Sequence, residues 1–133
     1  MGIVCAMKRI LLIESDPFLS LLLLKRLRQL RFEVRHASHT EEAWRFMEME
    51  RPDAILTELV LPRKDGFEFL EELRAHPRFA DLEISVHTRL GSREDIHRCQ
   101  ELGVRDYFIK SHHTPDEVVA ALLRAWTAES VSL

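Results

Sequence analysis

Five short apolar runs alternate with five stretches of helical periodicity, and this alternation is the feature that most limits the possible folds. The runs cover residues 10–13, 32–36, 53–57, 84–88 and 104–109. The first run is continuously apolar, which is typical of a strand covered on both faces, whereas the second alternates apolar and polar residues and suits a place nearer a sheet edge. The order predicts an α/β fold with one parallel, doubly wound, five-stranded sheet and right-handed crossovers.

Helix boundaries are marked by residues that satisfy free backbone groups. Asp16, followed by a proline, predicts the start of a helix that ends near residue 31. Gly103 is placed to close the fourth helix, and Thr114 and Glu117 form a capping box for a last helix through about residue 127. Arg31 stands where a glycine after a helix end is expected.

The composition indicates one folded unit. The chain has 133 residues, with 46% hydrophobic and 31% charged residues, so we predict one domain over 8–127, a disordered leader over 1–7 and a tail over 128–133. A net charge of -3 gives no basic surface for nucleic acid. The longest apolar run is too short for a membrane span, and two cysteines make no disulfide framework, so we expect a cytoplasmic protein.

Polar residues follow four of the five predicted strands. Because the carboxyl ends of parallel strands meet at one edge of a sheet, these residues are expected to converge there. Crowded carboxylates need a neighbouring cation, which a lysine or Mg²⁺ would supply. The converging residues are Glu14, Ser15 and Asp16 after the first strand, Glu58 after the third, Thr88 and Arg89 after the fourth, and Lys110 after the fifth.

The segments that carry these residues also match a known pattern in order and spacing. They are residues 10–17, 51–62, Asp65-Gly66, Thr88 and 103–110. With them the chain resembles the receiver domain of bacterial two-component response regulators, from residue 8 to about residue 126. The resemblance implies a (βα)5 flavodoxin-like receiver fold and a role in phosphorelay signal transduction rather than an enzyme of metabolism.

The resemblance also assigns a place to each strand-end residue. Glu14, Ser15 and the backbone of Val60 hold the metal-equivalent positions, and Glu58 holds that of the aspartate that accepts a phosphoryl group. In the family, that aspartate attacks a phosphohistidine donor with the help of Mg²⁺. Thr88 and Lys110 match the residues that contact the phosphoryl group, and Tyr107 matches the aromatic residue that reorients with it.

Four positions depart from the family pattern. Glu58 and Ser15 stand where the family has aspartates, Arg89 where it has a small residue, and Ser111 where it has a proline. A serine hydroxyl is a poor replacement for a carboxylate ligand of Mg²⁺. The longer Glu58 side chain reaches the space of a phosphoryl group, where Lys110, Arg89 or Thr88 could pair with it. We therefore predict an atypical pseudo-receiver, with Arg89 as a pocket-blocking residue and no cofactor.

We expect such a pseudo-receiver to act independently of phosphorylation, by binding a protein partner. Two other functions remain open. One is a functional, Mg²⁺-dependent phosphoacceptor receiver in a phosphorelay. The other is a small-molecule or nucleotide-binding domain, which the lack of a glycine-rich phosphate loop among four glycines disfavours. The resemblance places the protein partner, a histidine kinase or a downstream effector, on the face of the fourth helix, fifth strand and fifth helix, near His97, Gln100, Tyr107 and Trp126.

Some residues have a structural interpretation beside a functional one. Leu21 to Leu24 make the apolar surface of the first helix wide, which indicates either deep burial or a homodimer contact. His87 is expected to be a core or hydrogen-bonded histidine. The adjacent His112 and His113 lack a third ligand at useful spacing, so we expect them in a solvated loop rather than at a metal.

Overall fold

The computed structural model describes residues 8–130. The predicted leader lies outside the described residues. Strands and helices alternate without exception along the described part. The strands are β1 (Arg9–Ile13), β2 (Glu33–Ala37), β3 (Ala54–Thr57), β4 (Glu83–Thr88) and β5 (Asp106–Ile109), and the helices are α1 (Pro17–Gln29), α2 (Thr40–Met49), α3 (Gly66–Ala75), α4 (Arg93–Glu101) and α5 (Pro115–Ser130).

The strands form one parallel sheet in the order β2-β1-β3-β4-β5, which confirms the predicted fold class. The alternating strand β2 is at the edge, as its sequence predicted. β1 and β3 are central and apolar because helices cover both of their faces. The crossovers bring the carboxyl ends of all five strands to one side of the sheet.

Each face of the sheet has its own apolar core. Leu11, Ile13 and Ile55 pack with α2, α3 and the buried Cys99 of α4. Residues one position away in the same strands, among them Leu12 and Leu56, pack with α1 and α5 on the opposite face. This alternation follows from the two-residue period of a strand.

The predicted helix signals are present. The Asp16 carboxylate accepts hydrogen bonds from the first-turn amides of α1, and Thr114 and Glu117 each accept from the other's backbone amide. Gly103 has φ 74°, as a residue just after a helix requires. Arg31 adopts the same left-handed conformation at φ 71°, at a cost of about 1 kcal/mol relative to glycine.

Three expectations need correction or refinement. α5 runs to Ser130, past the predicted end near residue 127. Trp126 is only 2% exposed, because it packs edge-on against Phe32 and donates to Glu83, so it is not available on a partner surface. In α1, Leu23 is fully buried whereas Leu21 is 64% exposed, so the wide apolar surface is partly core and partly solvent-facing. None of the helices in the described range is long and apolar enough to cross a membrane.

Candidate signalling site at the carboxyl end of the sheet

The strand-end residues are positioned by the backbone ladder of the sheet. The Glu58 amide donates to the carbonyl of Ile13 at 2.9 Å, which continues the pairing of β1 and β3 past their ends. On the other side, the Lys110 amide donates to the Thr88 carbonyl at 2.7 Å. These bonds fix the ends of β3 and β5 against their neighbouring strands, so the side chains of Glu58 and Lys110 meet at the carboxyl end of the sheet.

Lys110 bridges the two carboxylates of the site. Its ammonium nitrogen lies 2.7 Å from Oε1 of Glu58 and 2.9 Å from Oε1 of Glu14. The carboxylate side chains are only 4% and 3% exposed, and the lysine side chain is 24% exposed. One cation is therefore shared between two anions in a place with little water, where leaving any of them unpaired would be costly.

Both oxygens of the Glu58 carboxylate are occupied. Oε1 takes the ammonium of Lys110, and Oε2 accepts hydrogen bonds from the amides of Leu59 at 2.6 Å and Val60 at 2.9 Å. The buried Thr88 hydroxyl lies close enough to Glu58 to favour its charged form. Two amides and an ammonium form a set of donors suited to an anion, and the protein's own carboxylate fills it.

The protonation states agree with this geometry. Burial opposes the charged form of Glu58, but hydrogen bonds from Lys110, Thr88 and Val60 outweigh it and hold the pKa of the carboxyl below its ordinary value. Burial likewise lowers the pKa of Lys110, but its bonds to Glu58 and Glu14 outweigh that effect and leave the pKa above its ordinary value. The Glu58–Lys110 pair is thus ionised at neutral pH.

A close backbone contact shapes the loop that supplies the two amides. A Cβ on Gly66 would lie 2.6 Å from Cα and 2.7 Å from the carbonyl oxygen of Leu59, so only glycine fits there. The Gly66 amide donates to that carbonyl at 3.0 Å, and Asp65 caps the following helix through the Phe67 amide. The start of α3 therefore fixes the loop and turns the amides of Leu59 and Val60 toward Glu58.

A chain of contacts joins the site to β5. Thr88 is fully buried, and its Oγ1 accepts from the Leu90 amide at 3.4 Å. The Tyr107 hydroxyl donates to the Leu90 carbonyl at 2.8 Å. Burial raises the pKa of the Tyr107 phenol, so its hydroxyl stays a hydrogen-bond donor. The half-buried Tyr107 is thereby held inward against the loop that follows Thr88.

Arg89 does not take the place that the sequence suggested for it. Its side chain is exposed and forms no ion pair with Glu58 in the described part of the chain. Lys110 fills this role because it extends from the same face of β5 as the buried Phe108, whereas Arg89 follows Thr88 by one residue and points to solvent. Arg89 therefore does not pair with Glu58 in this structure, and its interpretation as a residue that blocks the pocket stays a prediction.

The residues at the metal-equivalent positions do not fit Mg²⁺. Ser15 is exposed and supplies no carboxylate, and the Asp16 carboxylate caps α1. Glu14 binds Lys110 through one oxygen and accepts from the Asp16 amide through the other at 3.0 Å. Among residues 8–130 no group of three or more acidic, histidine or cysteine side chains could hold a metal ion. Mg²⁺ keeps several waters and binds one or two free carboxylates, whereas both oxygens of Glu14 and of Glu58 are taken by protein donors.

His87 of β4 lies near this site and is buried, as expected for a core histidine. It is 3% exposed, and its Nδ1 has no hydrogen-bond partner in the described structure. Burial and the nearby charge of Lys110 lower its pKa to about 4, although Glu58 acts in the opposite direction. His87 is therefore neutral at physiological pH. The burial of His87 could be predicted from the apolar residues around it in the sequence. The lack of a hydrogen-bond partner for its Nδ1 could not.

A parallel (βα)5 sheet with an acidic and lysine-containing site at its strand ends is the architecture of a signalling receiver. The chain matches the response regulator receiver domain family over residues 10–123 and belongs to that family. It is 36% identical over 114 residues to the transcriptional regulatory protein BaeR of Escherichia coli, an alignment that covers 84% of this chain and 45% of BaeR. The chain spans about half the length of the curated relatives it matches.

Two solved structures are similar over nearly their whole length. The phosphorylated cyanobacterial phytochrome response regulator RcpA superposes with a TM-score of 0.83 at 27% identity, and the Mn²⁺-bound form of response regulator Rcp1 with 0.82 at 29% identity. In both cases the similarity covers 95% of this chain and 98% of the other. The phosphoryl group and the metal belong to those proteins.

Proposed function

We propose that this receiver domain acts in cytoplasmic signal transduction as a phosphorylation-independent protein-interaction module, a pseudo-receiver. The observation that carries the proposal is the occupied carboxylate of Glu58, whose two oxygens bind Lys110 and the amides of Leu59 and Val60. A carboxylate that attacks a phosphohistidine needs a free oxygen and a path for the incoming phosphorus. Here the donors that would receive a phosphoryl group bind the protein's own side chain instead.

The lack of fitting metal ligands supports the same proposal. Phosphoryl transfer to a carboxylate brings negative groups together and depends on a cation that neutralises the phosphoryl oxygens. Lys110 is already shared between Glu14 and Glu58, and Ser15 offers no second carboxylate. We therefore expect neither Mg²⁺ binding in the physiological range nor transfer to Glu58.

We further propose that the module presents one fixed surface to a protein partner, either a histidine kinase or a downstream effector. The surface consists of α4, β5 and α5, with His97 and Gln100 exposed on α4. The hydrogen bonds that link Thr88 through Leu90 to Tyr107 support a fixed state of this face, because the Thr88 carbonyl also binds the amide of Lys110, which fills the site. Trp126 is excluded from the surface by its burial.

The test is incubation with acetyl phosphate and Mg²⁺, followed by intact-protein mass spectrometry and amide NMR spectra. We expect no added phosphoryl mass and no Mg²⁺-dependent shifts at Glu58, Thr88 or Tyr107. Beryllofluoride, which forms a phosphoryl-like adduct on carboxylates of this kind, is likewise expected to leave the spectrum unchanged.

The matched control is the double variant S15D/E58D, which introduces the two aspartates of the family pattern on the same scaffold. We expect it to bind Mg²⁺ and to gain one phosphoryl group under identical conditions. Metal-dependent phosphorylation of the unchanged protein would contradict the proposal and favour the phosphoacceptor function. The control ensures that a negative result for the natural sequence comes from those two positions and not from inactive reagents.

A further inference from the structure

Helix α1 presents apolar side chains to solvent as well as to the core. Leu23 and Leu27 are fully buried against the sheet, whereas Phe18, Leu21 and Leu22 are exposed. Phe18 is 85% exposed, and within residues 8–130 it is the one phenylalanine, tyrosine or tryptophan with an exposed side chain. A spacing of three and four residues places the exposed three on one side of the helix. Exposed apolar residues that adjoin one another are a mark of interaction sites, whereas scattered ones need no explanation.

A positive charge lies on the same side of the helix. Lys25 follows Leu22 by three residues, is exposed and forms no ion pair within the described part of the chain. Its neighbour Arg26, in contrast, pairs with Asp116 of α5 at 3.1 Å. Lys25 and Phe18 are seven residues apart, about 10 Å along the helix axis, so they are not partners within one chain. An exposed ring and an exposed ammonium therefore stand at the two ends of this apolar side.

We propose that the α1 face, formed by Phe18, Leu21, Leu22 and Lys25, binds a second copy of the chain, with the two α1 helices antiparallel about a two-fold axis. The axis passes between Leu21 and Leu22. Because a two-fold interface is reciprocal, Leu21 of each copy then meets Leu22 of the other. Phe18 lies three residues before Leu21, and Lys25 lies three residues after Leu22. The same axis therefore brings the ammonium of Lys25 over the Phe18 ring of the other copy, twice in each dimer.

Charge favours a second copy as the occupant, and size sets the strength of the contact. The molecule already pairs cations with rings, since the guanidinium of Arg98 lies 4.3 Å from the centre of the Phe67 ring. The antiparallel arrangement gives the exposed Phe18 ring the same kind of partner. It also separates the two Lys25 residues by about 10 Å along the helices, whereas a parallel arrangement would place them side by side. One helix face buries less than the roughly 800 Å² per partner of a standard interface, so we expect a dissociation constant on the order of 100 µM.

Sedimentation velocity of the full chain from about 10 µM to about 1 mM, which spans the expected dissociation constant, measures the self-association. We expect the weight-average mass to rise from that of one chain toward that of two. In a mixture of isotope-labelled and unlabelled chains, we expect filtered NOEs between the Phe18 ring of one copy and the Lys25 side chain of the other, since the two are too far apart within one chain. A chain that stays monomeric throughout overturns the proposal and leaves the α1 face to a different partner.

An exchange of the ring and the cation tests the antiparallel register. F18K sets two ammonium groups against each other at each contact, so we expect it to weaken self-association at least about tenfold. The double variant F18K/K25F again places a cation opposite a ring at both contacts. It should bring the dissociation constant back to within about threefold of that of the unchanged protein.

M49E is the matched control, since Met49 is 71% exposed on α2 and lies outside the α1 face. It should leave the self-association unchanged. All three positions are exposed, so the variants are expected to fold, and their amide spectra verify this before the measurement. An unaffected F18K variant, no recovery in the double variant, or an equal loss in M49E would each overturn the proposal.

Discussion

The two ends of the sheet both concentrate charge, but they bury it to very different degrees. At the carboxyl end, Glu14 and Glu58 are 3% and 4% exposed and share Lys110. At the amino end, Arg9 and Glu33 are 49% and 52% exposed in a pair of similar length. Exposed pairs contribute about 0–1 kcal/mol, whereas removing one member of a buried pair costs about 3–5 kcal/mol.

Charged residues in the exposed pairs can therefore be replaced at little cost, whereas those in the buried cluster hold the site in one conformation. A buried ionic group is often no more stable than an apolar core of the same volume, so stability alone does not explain the carboxyl-end cluster. Its geometry does: the cation and the amides hold Glu58 in one position. The ion pairs at the amino end only lie on the surface at the starts of the strands.

The largest effect is expected from K110M, which leaves Glu14 and Glu58 buried without their cation. We expect it to lower the free energy of unfolding by about 3–5 kcal/mol at neutral pH. The loss should shrink on acidification, because a protonated Glu58 no longer needs the ammonium. Urea unfolding at several pH values measures the loss of stability and its dependence on pH.

K64M is the control for this change, since Lys64 forms a lysine–carboxylate bond of similar length with Glu72 on the surface. Its effect should be several times smaller and should fade with added salt. A similar loss in both variants would show that burial does not distinguish the two ends of the sheet.

A second effect is expected from His87, which is neutral in the folded protein with a pKa of about 4 against an ordinary 6.5. The unfolded chain binds a proton there first, so stability falls as the pH decreases from about 6.5 to about 4. The fall is on the order of 3 kcal/mol, at about 1.4 kcal/mol for each pKa unit.

The variant H87L should flatten the stability curve across this window. Glu58 acts separately: its lowered pKa contributes stability above the ordinary carboxyl value of 4.5, and this is lost at lower pH as the pH falls through the folded pKa. Unfolding free energies measured by urea denaturation between about pH 7 and about pH 4 distinguish the two groups. An equally steep curve in H87L would rule out His87 as the cause.

The sequence predicted the fold well because its signals are local. Strand β1 is a continuous apolar run, and Asp16 and Thr114 satisfy amides within a turn of themselves. Even the glycine-like place of Arg31 was readable from where its helix had to end. The end of α5 was predicted a few residues short, because no stop residue marks it.

The site was only partly predictable, because its bonds join residues far apart in the chain. Strand-end logic gathered Glu14, Glu58, Thr88 and Lys110, but which cation binds Glu58 depends on side-chain direction. Lys110 pairs with Glu58 whereas Arg89 is exposed, and the sequence left Lys110, Arg89 and Thr88 all open as partners of Glu58. The burial of Trp126 likewise depends on Glu83, a partner 43 residues away.

The smallest effect is expected from R9Q at the amino end of the sheet. Arg9 bonds Glu33 and Glu50 at 3.2 and 3.3 Å, but both partners are well exposed. We expect the free energy of unfolding to fall by less than about 1 kcal/mol, and less still at high ionic strength, because water and salt screen the pairs. A loss of stability comparable to that of K110M would mean that the charges at the strand starts are coupled in a network. Burial would then not explain the difference between the two ends of the sheet. Urea denaturation with and without added salt decides between these outcomes.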